Sequence, residues 1–136
     1  YTCGAGQTLT DRLPVTAGNR GFRVHGPNGF LRVFANAALA NAVEVQSRYD
    51  DVAQELVVQL HNPGPGATEI IARPLAYILA PPRRYQLAPG QTREGRWAIA
   101  ASDHWYDIEL RSGAAIWRLA GHMETGRPSR SDPAMG

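Results

Sequence analysis

Hydrophobic and polar residues alternate with period two over most of this chain, a pattern that predicts half-buried strands rather than helices. In "AQELVVQLHNPGPG", Leu56, Val58 and Leu60 fall on one face, and Glu55, Gln59 and His61 on the other. Asn62-Pro63-Gly64 then supplies turn chemistry that ends the strand. In "HWYDIELRSG", Tyr106, Ile108 and Leu110 point one way while Trp105, Asp107 and Glu109 point the other. "AAIWRLAG" follows directly after Ser112-Gly113, so residues 104–121 read as a β-hairpin. "RWAIA" (96–100) is a further strand, entered through the turn "LAPGQT", and strands are expected near 42–48 and 68–78. Pro74 places the last of these at a sheet edge or a bulge, because proline has no N–H to give to a central ladder. "ANAALANA" (35–42) is the one stretch whose alanines favour a helix.

The pattern is also partly duplicated. A slide of 84 residues superposes Tyr1 on Tyr85, Gly6-Gln7-Thr8 on Gly90-Gln91-Thr92, Arg12 on Arg96, Phe22 on Tyr106 and Val24 on Ile108. Past the next turn the best slide is 86, which sets Leu31, Arg32 and Val33 on Trp117, Arg118 and Leu119. Residues 1–36 therefore read as the last strands of a preceding, truncated copy of a repeat. Residues 37–136 read as a complete second copy with an extended C-terminal tail. Short strands at regular spacing with turn signals between them predict an all-β, antiparallel, immunoglobulin-like sandwich with extra N-terminal strands from the preceding repeat. Those extra strands are expected to cover a sheet edge that would otherwise invite aggregation.

Composition agrees with one turn-rich globular domain: 136 residues, 43% hydrophobic, with 14 Gly and 10 Pro. All 14 basic residues are arginine, scattered rather than striped, and the net charge of +2 gives no footprint for nucleic acid. Cys3 is alone, so no disulfide forms within the chain. No apolar run approaches a bilayer-spanning length. A chain opening on Tyr1 reads as a piece of a longer polypeptide whose targeting segment, if any, lies upstream.

Little in the sequence resembles reactive chemistry. His25, His61, His104 and His122 lack the spacing of metal ligands and are expected at the surface, so neither a metal nor a cofactor is expected. "HGPNG" (25–29) lies between strands and reads as a hairpin turn, with no following helix to present amides to a phosphate. Asp107 and Glu109 are expected on the solvent face of their strand, outside any pocket that would tune them for acid–base work. Trp97 and Trp117 share faces with Ile99 and Leu119 and are expected in the core. Trp105 alternates with Asp107 on the polar side, where it can either dock a ligand or serve as a lid on the sandwich end. Phe30 and Phe34 alternate with Leu31 and Val33, so one of these pairs must leave the core. Trp105, Asp107, Phe30 and Phe34 are the candidate surface-binding residues.

Four stretches carry a family resemblance. "VHGPNGFLRVF" (24–34), "HWYDIEL" (104–110), "AGHMETGRP" (120–128) and "SDPAMG" (131–136) resemble the C-terminal repeats of bacterial phosphocholine-preferring, zinc-independent phospholipases C. The chain departs from the family at "RGFRV", where a Tyr-Asp pair is common, and at His122-Met123, where Arg-Val is more usual. The resemblance implies a large catalytic domain followed by two β-sandwich copies. It also implies a secreted parent enzyme that hydrolyses phosphatidylcholine or sphingomyelin to release phosphocholine. The family's catalytic residues lie in the upstream domain, so none is carried onto this chain. The expected role is a non-catalytic accessory domain whose partner is that catalytic domain and which braces it or aids docking on a phospholipid or cell surface. The alternative is a carbohydrate- or membrane-binding module working through Trp105.

Overall fold

A computed structural model describes Gln7, Thr10 and residues 21–36, 42–128 and 130–133. The helix considered for 35–42 and the strands expected before residue 21 fall largely outside the described residues. Among the described residues the chain forms β1 (Gly21–His25), β2 (Leu31–Ala35), β3 (Glu44–Asp50), β4 (Glu55–His61), β5 (Thr68–Ala76), β6 (Arg83–Leu87), β7 (Thr92–Ala98), β8 (Trp105–Ser112) and β9 (Ala115–His122). One short 3-10 turn, Ala100–Ser102, precedes β8.

Two antiparallel sheets face each other, with strand orders β1-β2-β9-β8-β5-β6 and β3-β4-β7. Strands β3 to β9 split three and four between them, an immunoglobulin-like arrangement in which β6 pairs with β5. The inward positions of both sheets meet in one core of Leu56, Val58, Leu60, Ile70, Leu87, Trp97, Ile99, Tyr106, Ile108, Leu110, Trp117 and Leu119. Period-two alternation thus identifies the core faces of β4, β7, β8 and β9.

Two features show how local sequence sets the frame. Asn62 is buried, and its side chain satisfies itself against backbone on both sides. Nδ2 donates to the carbonyls of Gly66, Leu87 and Ala88, while Oδ1 accepts from the Gly64 amide. That one amide ties the turn after β4 to the crossing from β6 to β7. Pro74 sits where the β5–β8 register shifts between Pro74 and Ala76, and β5 pairs with β6 only up to Ala72. The proline thus lies at the expected bulge, past the end of its neighbour.

The β1–β2 hairpin completes the larger sheet through β2–β9 pairing, with Arg32 opposite Leu119 and Phe34 opposite Trp117. The edge of β9 is therefore covered, as the sequence leads one to expect. On the repeat reading, a slide of 84 on the first strand requires 87 and not 86 on the second, because antiparallel pairing fixes the sum of the two slides. A slide of 84 on β1 and 87 on β2 carries Phe22↔Phe34 onto Tyr106↔Gly121, Val24↔Arg32 onto Ile108↔Leu119, and His25↔Leu31 onto Glu109↔Arg118. On that reading the counterpart of Arg32 is Leu119 and not Arg118, since a one-residue slip sends a side chain to the opposite face.

Candidate functional site

The turn after β3, the loop after β5, the segment before β8 and the residues following β9 gather at one end of the sandwich, beside the tip of the β1–β2 hairpin. The joins are His104 with Gln54, Tyr77 with Trp105, Asn28 with Glu124, and the Met123 amide on the His104 carbonyl. Asn28, Gln54, Tyr77, Asp103 and His104 all hold positive φ here. Non-glycine residues in that region each cost on the order of 1 kcal/mol or more and persist only where their surroundings enforce them.

Trp105 is the hub. It points to the outer face of its sheet, as alternation predicts, yet it is only 6% exposed. The His122 ring lies 4.8 Å from it and the Tyr77 ring 6.0 Å, and its Nε1–H donates to the Arg130 carbonyl at 3.0 Å. The hairpin tip closes over it: a Cβ on Gly29, which holds φ +67°, would come within 2.8 Å of the indole. The C-terminal segment is further held by the Tyr77 hydroxyl, which donates to Asp132 at 2.7 Å. Trp105 therefore acts as the lid contact, and it offers no open face to a ligand while the tail is seated.

The other candidate residues sit as follows. Asp107 corrects the solvent-face expectation, being 7% exposed and gripped by both Nε and Nη2 of Arg118, at 2.8 and 2.6 Å. His122 likewise departs from its expected surface position. It is 7% exposed, with Nδ1 beside Glu124 and Nε2 beside the Asp103 carbonyl, both at 3.1 Å. Phe34 packs half-buried against the core. Phe30, also half-buried, lies under the Arg32 guanidinium at 4.3 Å. Arg32 in turn donates to the Tyr106 hydroxyl at 2.9 Å, which bonds that of Tyr49 at 2.7 Å, so the hairpin is latched to both sheets. Burial, and next Tyr106, push the Tyr49 phenol up. The structure brings Trp105 and Asp107 together with Tyr77 and His122, which sequence reasoning did not connect. Phe30 and Phe34 belong to the seam instead.

The loop after β5 is the most exposed apolar feature of this end. The Ile78 amide donates to the Ala76 carbonyl across Tyr77 at φ 68°, a rare and strained three-residue turn. That turn thrusts Leu79 fully into solvent, with Leu75 42% exposed nearby. Residues 74–82, "PLAYILAPP", carry no charge, and 74–81 line a recess of about 480 Å³. A more polar open cleft of about 530 Å³ lies beside His104, Asp51, Gln54, Glu124 and Arg127. Among the described residues no three His, Cys, Asp or Glu side chains converge as a metal site.

These groups set a pH response. Burial, then the bond to Asp132, pushes the Tyr77 phenol up to about 12. Its stabilising contribution is whole below the ordinary phenol value near 10 and is lost as pH rises through about 12. Glu109 is held low by Arg111, and Asp50 by the Ala53 amide and then Arg96. Their contribution is present above the ordinary carboxylate range and is lost as pH falls through the depressed values. Melting temperature should therefore decline at both extremes, and Tyr77→Phe should flatten the alkaline limb only. An unchanged alkaline limb in that variant would contradict the assignment.

Fold and site together define an antiparallel β-sandwich domain whose sheet is extended by a preceding hairpin and whose C-terminal segment is strapped over one end. Residues 1–35 and 43–122 match the family described as the C-terminal domain of bacterial phospholipase C, and the chain belongs to that family. It is 36% identical to a non-hemolytic phospholipase C of Pseudomonas aeruginosa, across 100% of this chain and 21% of that protein. A non-hemolytic phospholipase C of Burkholderia pseudomallei is 38% identical across 98% of the chain and 20% of the relative. A hemolytic phospholipase C of Pseudomonas aeruginosa is 38% identical across 96% and 19%. The chain thus spans about a fifth of the length of these relatives.

Proposed function

We propose that this chain is the accessory C-terminal domain of a secreted phospholipase C and braces the upstream catalytic domain of the same polypeptide. The parent, on this reading, cleaves the phosphodiester of phosphatidylcholine or sphingomyelin and releases phosphocholine. The observation that carries the bracing role is the uncharged stretch 74–82, with Leu79 held out by a strained turn. Exposed apolar surface of this kind is normally covered by a partner. Four-fifths of each relative's length lies outside the matched region, which makes the remainder of the polypeptide the natural cover. The stretch carries no cationic side chain between Arg73 and Arg83, so its apolar tip is uncharged.

Leu79→Asp tests this. In the whole polypeptide it should weaken domain docking by about 2 kcal/mol, the scale of one buried leucine, lowering the melting temperature and the turnover of a soluble choline phosphodiester. In the 136-residue chain alone it should change stability little. A whole polypeptide that keeps both properties but loses binding to phosphatidylcholine vesicles would overturn bracing in favour of membrane docking.

A further inference from the structure

We infer that the preceding copy of the repeat continues the six-stranded sheet beyond β1, related to this sandwich by a local two-fold axis through the Arg32–Leu119 pair. The inference rests on the reading of residues 1–36 as the end of such a copy. The slide of 84 on β1 sets the geometry, because antiparallel pairing then fixes 87 on β2. All five β1–β2 pairs superpose on β8–β9 pairs at slides of 84 and 87, from Gly21↔Ala35 on Trp105↔His122 to His25↔Leu31 on Glu109↔Arg118. The seam is compatible with the same operation, as any antiparallel ladder is. Arg32↔Leu119 exchanges onto itself, and Val33↔Arg118 becomes Leu31↔Ala120, which is also a pair in the β2–β9 ladder. Superposed positions keep the same face, so the axis stands perpendicular to the sheet. Antiparallel neighbours are related in this way.

The operation says what flanks β8 but, among the described residues, does not flank β1. Its equivalent, β8, is flanked by β5 on the side away from β9 and is covered by the second sheet. Ile108 is accordingly 0% exposed, whereas its equivalent Val24 is 42% exposed on the same face. Tyr106 is 0% exposed while Phe22 is only half-buried. Among the described residues no strand pairs beyond β1. At the slide of 84, counterparts of β3, β4 and β5 fall before Tyr1, in polypeptide that the longer relatives possess. The family match, broken between residues 35 and 43, divides the chain close to the proposed copy boundary. The occupant of this edge is therefore the β5 counterpart of the preceding copy, with that copy's smaller sheet lying over Phe22 and Val24.

Amide hydrogen exchange and thiol labelling of Val24→Cys, both read by peptide mass spectrometry, test this on the 136-residue chain and on the whole polypeptide. In the whole polypeptide, the amides of Phe22–His25 that point away from β2 should gain protection, and labelling at position 24 should slow at least tenfold. Open amides there overturn the inference, whether or not the thiol is shielded. Leu79→Cys, labelled in parallel, separates the two readings. A shielded position 79 with an open position 24 leaves bracing intact and removes the continuous sheet; the reverse result does the opposite.

Discussion

Trp97→Ala should destabilise the purified chain by about 3–5 kcal/mol, the range for truncating a buried aromatic. The indole is 1% exposed, stands opposite Leu56 in the β4–β7 ladder, and lies beneath the Arg83 guanidinium at 5.0 Å. Its neighbour Gly95 is part of the socket, since a Cβ there would come within 2.6 Å of both the ring and the Tyr85 hydroxyl. The socket cannot collapse easily, because β4 beside it and the facing sheet above it hold it open, so the deleted volume stays as a cavity. One flaw tempers the loss: Nε1 of Trp97 is buried with no hydrogen-bond partner among the described residues. An orphaned donor costs about 1–3 kcal/mol. Trp97→Phe, which removes that donor and keeps most of the ring, should therefore cost clearly less than Trp97→Ala. Urea denaturation of the three proteins decides it, and a loss below about 1 kcal/mol for the alanine variant would put the ring at the surface.

Trp105→Ala should cost about 3 kcal/mol and also release the C-terminal segment. The indole is where three separate pieces of chain converge: the hairpin tip at Gly29, the ring of Tyr77 and the carbonyl of Arg130. Removing it strips the tail of its apolar seat, leaving the Tyr77–Asp132 bond and the Arg130–Asp103 ion pair to hold it. Tryptic cleavage after Arg130 should accelerate in the variant. Trp105→Phe keeps a ring but loses the Nε1 donation, and should fall between the two. A Trp105→Ala chain of unchanged stability and unchanged cleavage would make this side chain a ligand contact instead of a structural lid.

Strand positions were legible because each side chain's face follows from counting by two. Residues 104–121 were expected as a hairpin and β8–β9 occupy 105–122; Pro74 fell at its bulge. What counting cannot supply is the layer above a face. Asp107 points outward as read, but Arg118 comes from the adjacent strand, and the segment that seals Trp105 lies 25 residues further on. Val57 is a second case. It belongs to the polar face of β4 yet is fully buried, flanked by Arg48 and Arg96, whose ion pairs with Glu94, Asp50 and Glu55 span the same face. Long arginine stems cover apolar surface while their charges stay in water. The slide that the repeat reading requires on β2 was hard to read for a related reason. Every residue of β2 is half-buried, so its two faces give no contrast to fix a slide of 87 against 86. The family was legible where the strands were not decisive, in four short stretches, two of them at turns and in the tail.

A direct test of the domain's role is hydrolysis of a chromogenic phosphocholine ester by the purified 136-residue chain, alongside the whole polypeptide. The account predicts no turnover above blank from the chain and full turnover from the whole protein, reduced by Leu79→Asp. Turnover by the chain alone, abolished by His104→Ala in the polar cleft, would contradict it.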